Sequence, residues 1–197
     1  MSRFRLYFSL LSRARTSAAA LGLLAFLLAT LPAGAAPATP RPWYAERLEK
    51  LGFTVLPSPV KLEDFTLPAA AGGSGSLFAQ KGKIVLLNFW ATWCPPCRAE
   101  MPSIESLWKK TRDKDFTIMG ISVGEQPQTV KDFIAREKYS YPVYLDSSGA
   151  IGTRFGARSI PTTYLVDKSG MAIAGIVGGI EYDSAAFLAL VSELAAR

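Results

Sequence analysis

Two kinds of apolar pattern alternate along the 197-residue chain: short unbroken runs, and runs with helical period. Ile84-Val85-Leu86-Leu87 leads into Asn88-Phe89-Trp90, which predicts a central strand buried on both faces. Met101, Ile104, Leu107 and Trp108 then fall at helical spacing, so Pro95 to Lys110 reads as a helix, with Pro102 inside it as a source of a kink. Phe116 to Val123 is a second buried strand. Val130, Phe133 and Ile134 mark another helix, running on to Glu137. Thr162 to Val166 and Met171 to Val177 are two strands joined by the turn Asp167-Lys168-Ser169-Gly170. Phe187, Leu190, Val191 and Leu194 give the last helix its i, i+3, i+4, i+7 stripe.

Ahead of this block the signals are weaker. Trp43 to Leu51 predicts one short helix stopped by Gly52, and the alternation over Leu62 to Leu67 suits a strand. Ala70 to Ser76 reads as a glycine-rich loop. The order is therefore β-α-β-α, then an antiparallel pair, then α. Alternation implies parallel strands and the closing hairpin adds antiparallel ones, giving an α/β domain with a mixed sheet flanked by helices. No internal repeat or second domain is visible.

The first residues follow a different grammar. Arg3, Arg5, Arg13 and Arg15 precede the apolar run Ala18 to Leu31, and Pro32-Ala33-Gly34-Ala35-Ala36 supplies small residues. This predicts a secretory signal over residues 1–35, cleaved near Ala35 or Ala36. A retained anchor is the alternative, but a spanning helix needs about 20 apolar residues and this run stops at Pro32. Ala36 to Pro42 reads as a Pro/Ala-rich linker, and residues 36–61 as linker and N-terminal extension. The domain is expected over residues 62–197. The formal charge of +6 shrinks once the signal is set aside, leaving 18 basic against 16 acidic residues, so nucleic acid is not implied as a partner.

Residue counts narrow the chemistry. The chain has no histidine, which excludes Ser-His-Asp and Cys-His catalysis within one chain and removes the usual imidazole metal ligand. Its two cysteines, Cys94 and Cys97, are spaced C-x-x-C. A disulfide closing so small a loop is a poor staple, whereas the spacing suits redox chemistry. The pair follows a buried strand and opens a helix. A helix N-terminus presents unpaired N–H groups and roughly half a positive charge, which stabilises a thiolate below the free thiol value of about 8.5. Cys94 is thus expected to be the exposed nucleophile, and Cys97, one turn in, the buried resolving thiol. Pro95 and Pro96 are tolerated in a first turn.

Asn88-Phe89-Trp90-Ala91-Thr92-Trp93-Cys94-Pro95-Pro96-Cys97-Arg98-Ala99-Glu100-Met101-Pro102 resembles the active-site stretch of the TlpA/ResA-like branch of the thioredoxin superfamily. The likeness extends to Asp64-Phe65-Thr66-Leu67, Lys81-Gly82-Lys83, Val123-Gly124-Glu125 and Ile160-Pro161-Thr162-Thr163-Tyr164, covering roughly Leu62 to Leu194. It implies a thioredoxin-like fold with an extra β-α unit between the C-x-x-C helix and a cis proline at Pro161. It further implies that Ile160 and Pro161 meet an extended protein substrate, with Trp93 offering apolar contact beside the nucleophile. Asn88 stands where ordinary thioredoxins carry a buried aspartate, so it cannot take a proton from Cys97. Glu125 matches a glutamate of this branch and is the expected replacement, with a solvated loop carboxylate as the alternative.

The activity the resemblance implies is dithiol–disulfide exchange in the periplasm or another exported bacterial compartment. The direction is reduction of protein disulfides, with electrons from a membrane thiol donor, by a monomer needing no cofactor or metal. The rivals are a net oxidant and a Cu(I)-carrying thiol protein. Peroxidase chemistry is disfavoured, because Thr92-Trp93-Cys94 lacks the P-x-x-x-T-x-x-C arrangement of peroxiredoxins.

Overall fold

The computed structural model describes residues 40–197; the expected signal and the first residues of the linker lie outside them. The elements run α1 (Ala45–Lys50), β1 (Thr54–Lys61), β2 (Thr66–Pro68), β3 (Ser74–Ser76), β4 (Ile84–Trp90), α2 (Pro95–Thr111), β5 (Phe116–Val123), α3 (Pro127–Glu137), β6 (Val143–Asp146), α4 (Ala150–Arg154), β7 (Thr162–Val166), β8 (Met171–Val177) and α5 (Ala185–Ala196).

Six strands form one sheet in the order β1-β8-β7-β4-β5-β6. β4, β5 and β6 are parallel, while β7, β8 and β1 are antiparallel to their neighbours. β4 is central, and all seven of its residues are buried. Its side chains alternate as a two-faced strand must. Leu86 and Trp90 join a core with α2, α3 and α5, whereas Val85, Leu87 and Phe89 join a second core with Phe65, Leu67 and Leu77. The mixed α/β architecture expected from the pattern is therefore observed. α2 runs unbroken through Pro102, which removes one N–H from its ladder.

Several short elements differ from the expected ones. Residues 54–61 form β1, an edge strand of the main sheet, so the folded unit begins before Leu62. Pro57 and Pro59 obscure it in sequence, and the register with β8 shifts between Val55 and Val60 around them. α1 is packed as well: Ala45 and Leu48 are fully buried, and Phe53 stacks on Phe187 at 5.9 Å. The strand expected over Leu62 to Leu67 begins only at Thr66, and it pairs with β3 inside the expected loop. Between α2 and Pro161 lie β5, α3, β6 and α4. The stretch thus holds room for the expected extra unit, and includes β6 and α4, which are too short to announce themselves by period. None of the described helices is long and apolar enough to cross a membrane.

Candidate active site

The cysteines sit where β4 hands over to α2, at the carboxyl end of the parallel strands. Cys94 is the N-cap of the 17-residue α2, and its extended backbone turns the chain into the helix. Pro95 and Pro96 occupy the first turn, where the missing N–H groups leave no helical bond unmade. Cys94 and Cys97 form a disulfide with a Cα–Cα separation of 5.3 Å. The Cys97 backbone N–H donates to Cys94 Sγ at 3.3 Å, so the helix end is aimed at that sulfur. Cys94 is less exposed than its expected role suggests, at 3%, against 0% for Cys97. Trp93 beside it is 67% exposed, whereas Trp90 is core.

The Ile160–Pro161 peptide bond is cis, and Cys94 Sγ lies 3.6 Å from the Ile160 carbonyl oxygen. The structure thus brings Cys94, Cys97, Ile160 and Pro161 together. Val177, absent from the sequence-level candidates, joins them. It pairs with Thr162 across β7 and β8, the neighbouring Gly178 N–H donates to Pro161 O at 2.8 Å, and Val177 is 68% exposed. An apolar residue at a strand end gives no sequence signal that it will stand exposed beside the cis proline.

Glu125 is not held by the cysteines. Its carboxylate accepts from Thr92 N–H at 2.9 Å, from the Thr92 hydroxyl, and from Ser122 Oγ at 2.7 Å. Gly124, at φ +72°, makes the turn that folds it back over β5. With three donors on two oxygens, Glu125 ties the loop before Cys94 to the end of β5. The hydrogen bonds it makes run to Thr92 and Ser122 rather than to Cys94 or Cys97.

The acid near the pair that sequence reasoning passed over is Glu100. It lies three residues after Cys97, one turn along the same helix face, and is 3% exposed. Asn88 Nδ2 donates to Glu100 Oε1 at 2.8 Å. Burial pushes its carboxyl up to about 8, with the Asn88 amide pulling the other way. A glutamate inside the stripe Met101, Ile104, Leu107 was the available signal, since charge on an apolar helix face is rarely idle. Glu100 also lines a cavity of about 270 Å³ with Pro96, Ala99, Gly179, Ile180 and Glu181. Among the described residues no cluster of three or more His, Cys, Asp or Glu side chains is placed to hold a metal.

Fold and site together define a thioredoxin-like protein with a C-x-x-C disulfide at a helix N-terminus. The chain belongs to the AhpC/TSA family, whose model matches residues 60–173. It is 40% identical over 98 residues to the thiol-disulfide oxidoreductase ResA of Bacillus thuringiensis subsp. konkukian, covering 50% of this chain and 57% of that protein. It is 40% identical over 111 residues to the thioredoxin-like protein YneN of Bacillus subtilis, covering 55% of this chain and 64% of that one. The matched stretches thus span less than two thirds of these relatives. A thiol:disulfide interchange protein of the thioredoxin family from Chlorobium tepidum superposes with a TM-score of 0.61 at 32% identity, covering 70% of this chain and 97% of that one. StoA from Bacillus subtilis does so with a TM-score of 0.57 at 27% identity, covering 64% and 96%.

Proposed function

We propose that this chain is an exported thiol–disulfide oxidoreductase that reduces disulfides in protein substrates. The observation that carries the reading is the Cys94–Cys97 disulfide at the N-terminus of α2, with Cys94 Sγ 3.6 Å from the backbone of Ile160. In the reduced protein the Cys94 thiolate attacks one sulfur of a substrate disulfide. An S–S bond forms between Cys94 and the substrate, and the other substrate sulfur leaves as thiolate. Cys97, once deprotonated, attacks Cys94 Sγ and expels the second substrate sulfur. The substrate gains two electrons and two protons, and the protein is left as the disulfide described above.

Trp93, Ile160, Pro161 and Val177 supply the apolar rim against which an extended substrate would lie. Glu100 is the proton acceptor for Cys97. A carboxyl at about 8 is close to the free thiol value of about 8.5, so proton transfer between them is nearly balanced. The names of the relatives support exchange chemistry. The reducing direction, the membrane thiol donor and the exported location rest on the resemblance and on the signal grammar of residues 1–35.

Trapping tests the reading. Cys97→Ser in cells should accumulate disulfide-linked partners on Cys94, and Cys94→Ser/Cys97→Ser should accumulate none. Equal recovery from both would sink it. The direction is tested by equilibration with glutathione: a couple below roughly −200 mV supports reduction, and one near −120 mV supports the oxidant reading.

A further inference from the structure

Glu100 is a member of a closed ring of hydrogen bonds. Asn88 Nδ2 donates to Glu100 Oε1 at 2.8 Å and to Thr163 Oγ1 at 2.9 Å. The Tyr182 hydroxyl donates to the same Thr163 oxygen at 2.9 Å. The Tyr182 backbone N–H donates to Ser103 Oγ at 3.1 Å, and Ser103 Oγ donates to the Glu100 carbonyl at 2.7 Å. All five members are buried. The ring joins β4, β7, α2 and the loop between β8 and α5, and its two arms from Glu100, through Asn88 and Thr163 and through Ser103, meet at Tyr182.

We propose that Tyr182 is a positioning residue: through Thr163 and Asn88 it fixes the Glu100 carboxylate for its exchange of a proton with Cys97. The inference rests on the reading of Glu100 given above. The Asn88 amide is oriented by its two donations alone, since its Oδ1 has no hydrogen-bond partner among the described residues. The acceptor that holds its far side is Thr163 Oγ1, and the hydroxyl that holds Thr163 is that of Tyr182. Tyr182 is itself immobile: its ring is fully buried and packs edge-on against Phe187 at 5.5 Å. The same loop closes over the acid, because a Cβ on Gly179 would stand 3.2 Å from Glu100 Oε2.

Removing the Tyr182 hydroxyl loosens Thr163 and with it the amide that stabilises the Glu100 anion. The anion then becomes harder to form, and the pH at which the resolving step switches on moves up. The titratable groups facing Glu100 are Cys97 on α2, Glu181 across the cavity, Tyr182 itself, and Tyr141 ahead of β6. Asn88 on β4 and Thr163 on β7 carry no charge.

The test is the pH dependence of the resolving step in the full-length chain, read by stopped flow with an aromatic disulfide as probe. Wild type is compared with Tyr182→Phe, Thr163→Val, Thr163→Ser and Glu100→Gln, each with a thermal melt. We expect Tyr182→Phe and Thr163→Val to raise the midpoint by about half a pH unit or more, with Thr163→Ser restoring it. A wild-type profile in Tyr182→Phe, while Glu100→Gln abolishes the limb, overturns the positioning role and leaves the Glu100 reading intact. An unaltered limb in Glu100→Gln overturns both. Variants that melt lower but keep the wild-type midpoint mark the ring as purely structural and overturn the inference.

Discussion

The side-chain amide of Asn88 donates to the Glu100 carboxylate across 2.8 Å, with both residues cut off from solvent. A neutral group on the central strand thus faces a buried acid on the C-x-x-C helix. The burial that raises the Glu100 carboxyl makes it costly to ionise.

That cost predicts a pH signature. The Glu100 carboxyl is raised from 4.5 to about 8 in the folded protein, so the folded state holds its proton longer than the unfolded chain. The stability this proton confers is complete below about pH 4.5 and is lost as pH rises toward 8, by up to about 1.4 kcal/mol per pH unit. Glu100→Gln should remove this slope, so that the variant gains on wild type as pH rises, and should slow the resolving step roughly 10²-fold. Urea unfolding of the oxidised protein at several pH values, with single-turnover kinetics, checks both. A parallel pH slope in the two proteins would contradict the assignment.

Cys94 caps α2 and Cys97 is sealed beneath it. In the reduced protein, iodoacetamide should alkylate Cys94 at least roughly tenfold faster than Cys97, with the Cys94 pKa below the free value of about 8.5. Peptide mapping after timed quenching measures the ratio. Equal labelling would undo the division into nucleophile and resolver.

Glu125 holds Thr92 by its N–H and hydroxyl and holds Ser122 by its hydroxyl. Glu125→Gln turns an amide N–H₂ toward donors, and should lower stability by about 2 kcal/mol. Because Thr92 positions Trp93 and Cys94, both half-reactions should slow together while the pH midpoint stays put. A shifted midpoint with unchanged stability would instead restore Glu125 as the proton-handling acid.

Glu105 ties α2 to the turn before β6, accepting from Ser140 N–H and Oγ, each at 2.7 Å, and from Lys109 at 3.1 Å. Burial raises its carboxyl, but the donations from Ser140, Lys109 and Tyr141 outweigh this and hold it below the usual value. Its contribution is therefore present at neutral pH and lost as pH falls through that lowered value. Glu105→Ala should cost about 2 kcal/mol at pH 7 and progressively less as pH falls through the lowered carboxyl range. Denaturant titrations across a descending pH series decide it.

Val177 stands exposed at the strand end that pairs with Thr162 and belongs to no buried core. Val177→Asp should raise KM for a protein disulfide roughly tenfold while leaving exchange with glutathione disulfide unchanged. Equal loss with both substrates would place the damage in the chemistry instead of the docking surface.

The sequence by itself determined the central strand, the helix that follows, the C-x-x-C pair between them and the closing β7–β8 hairpin. Each rests on local information: an unbroken apolar run, a 3.6-residue period, a turn tetrapeptide, a four-residue motif. β1 stayed hidden because an edge strand is paired on one side only and tolerates Pro57 and Pro59. β6 and α4 were too short for period to separate from loop. Tertiary structure alone decided which glutamate meets which partner. Glu100 and Glu125 both stand near the motif, and although Glu100 falls within the apolar stripe of α2, spacing alone does not say what either carboxylate meets. Which one loses water and which one is wrapped by Thr92 and Ser122 depends on how α2 lies on β4 and how Gly124 turns the chain, and those are properties of packed elements brought together from distant parts of the chain.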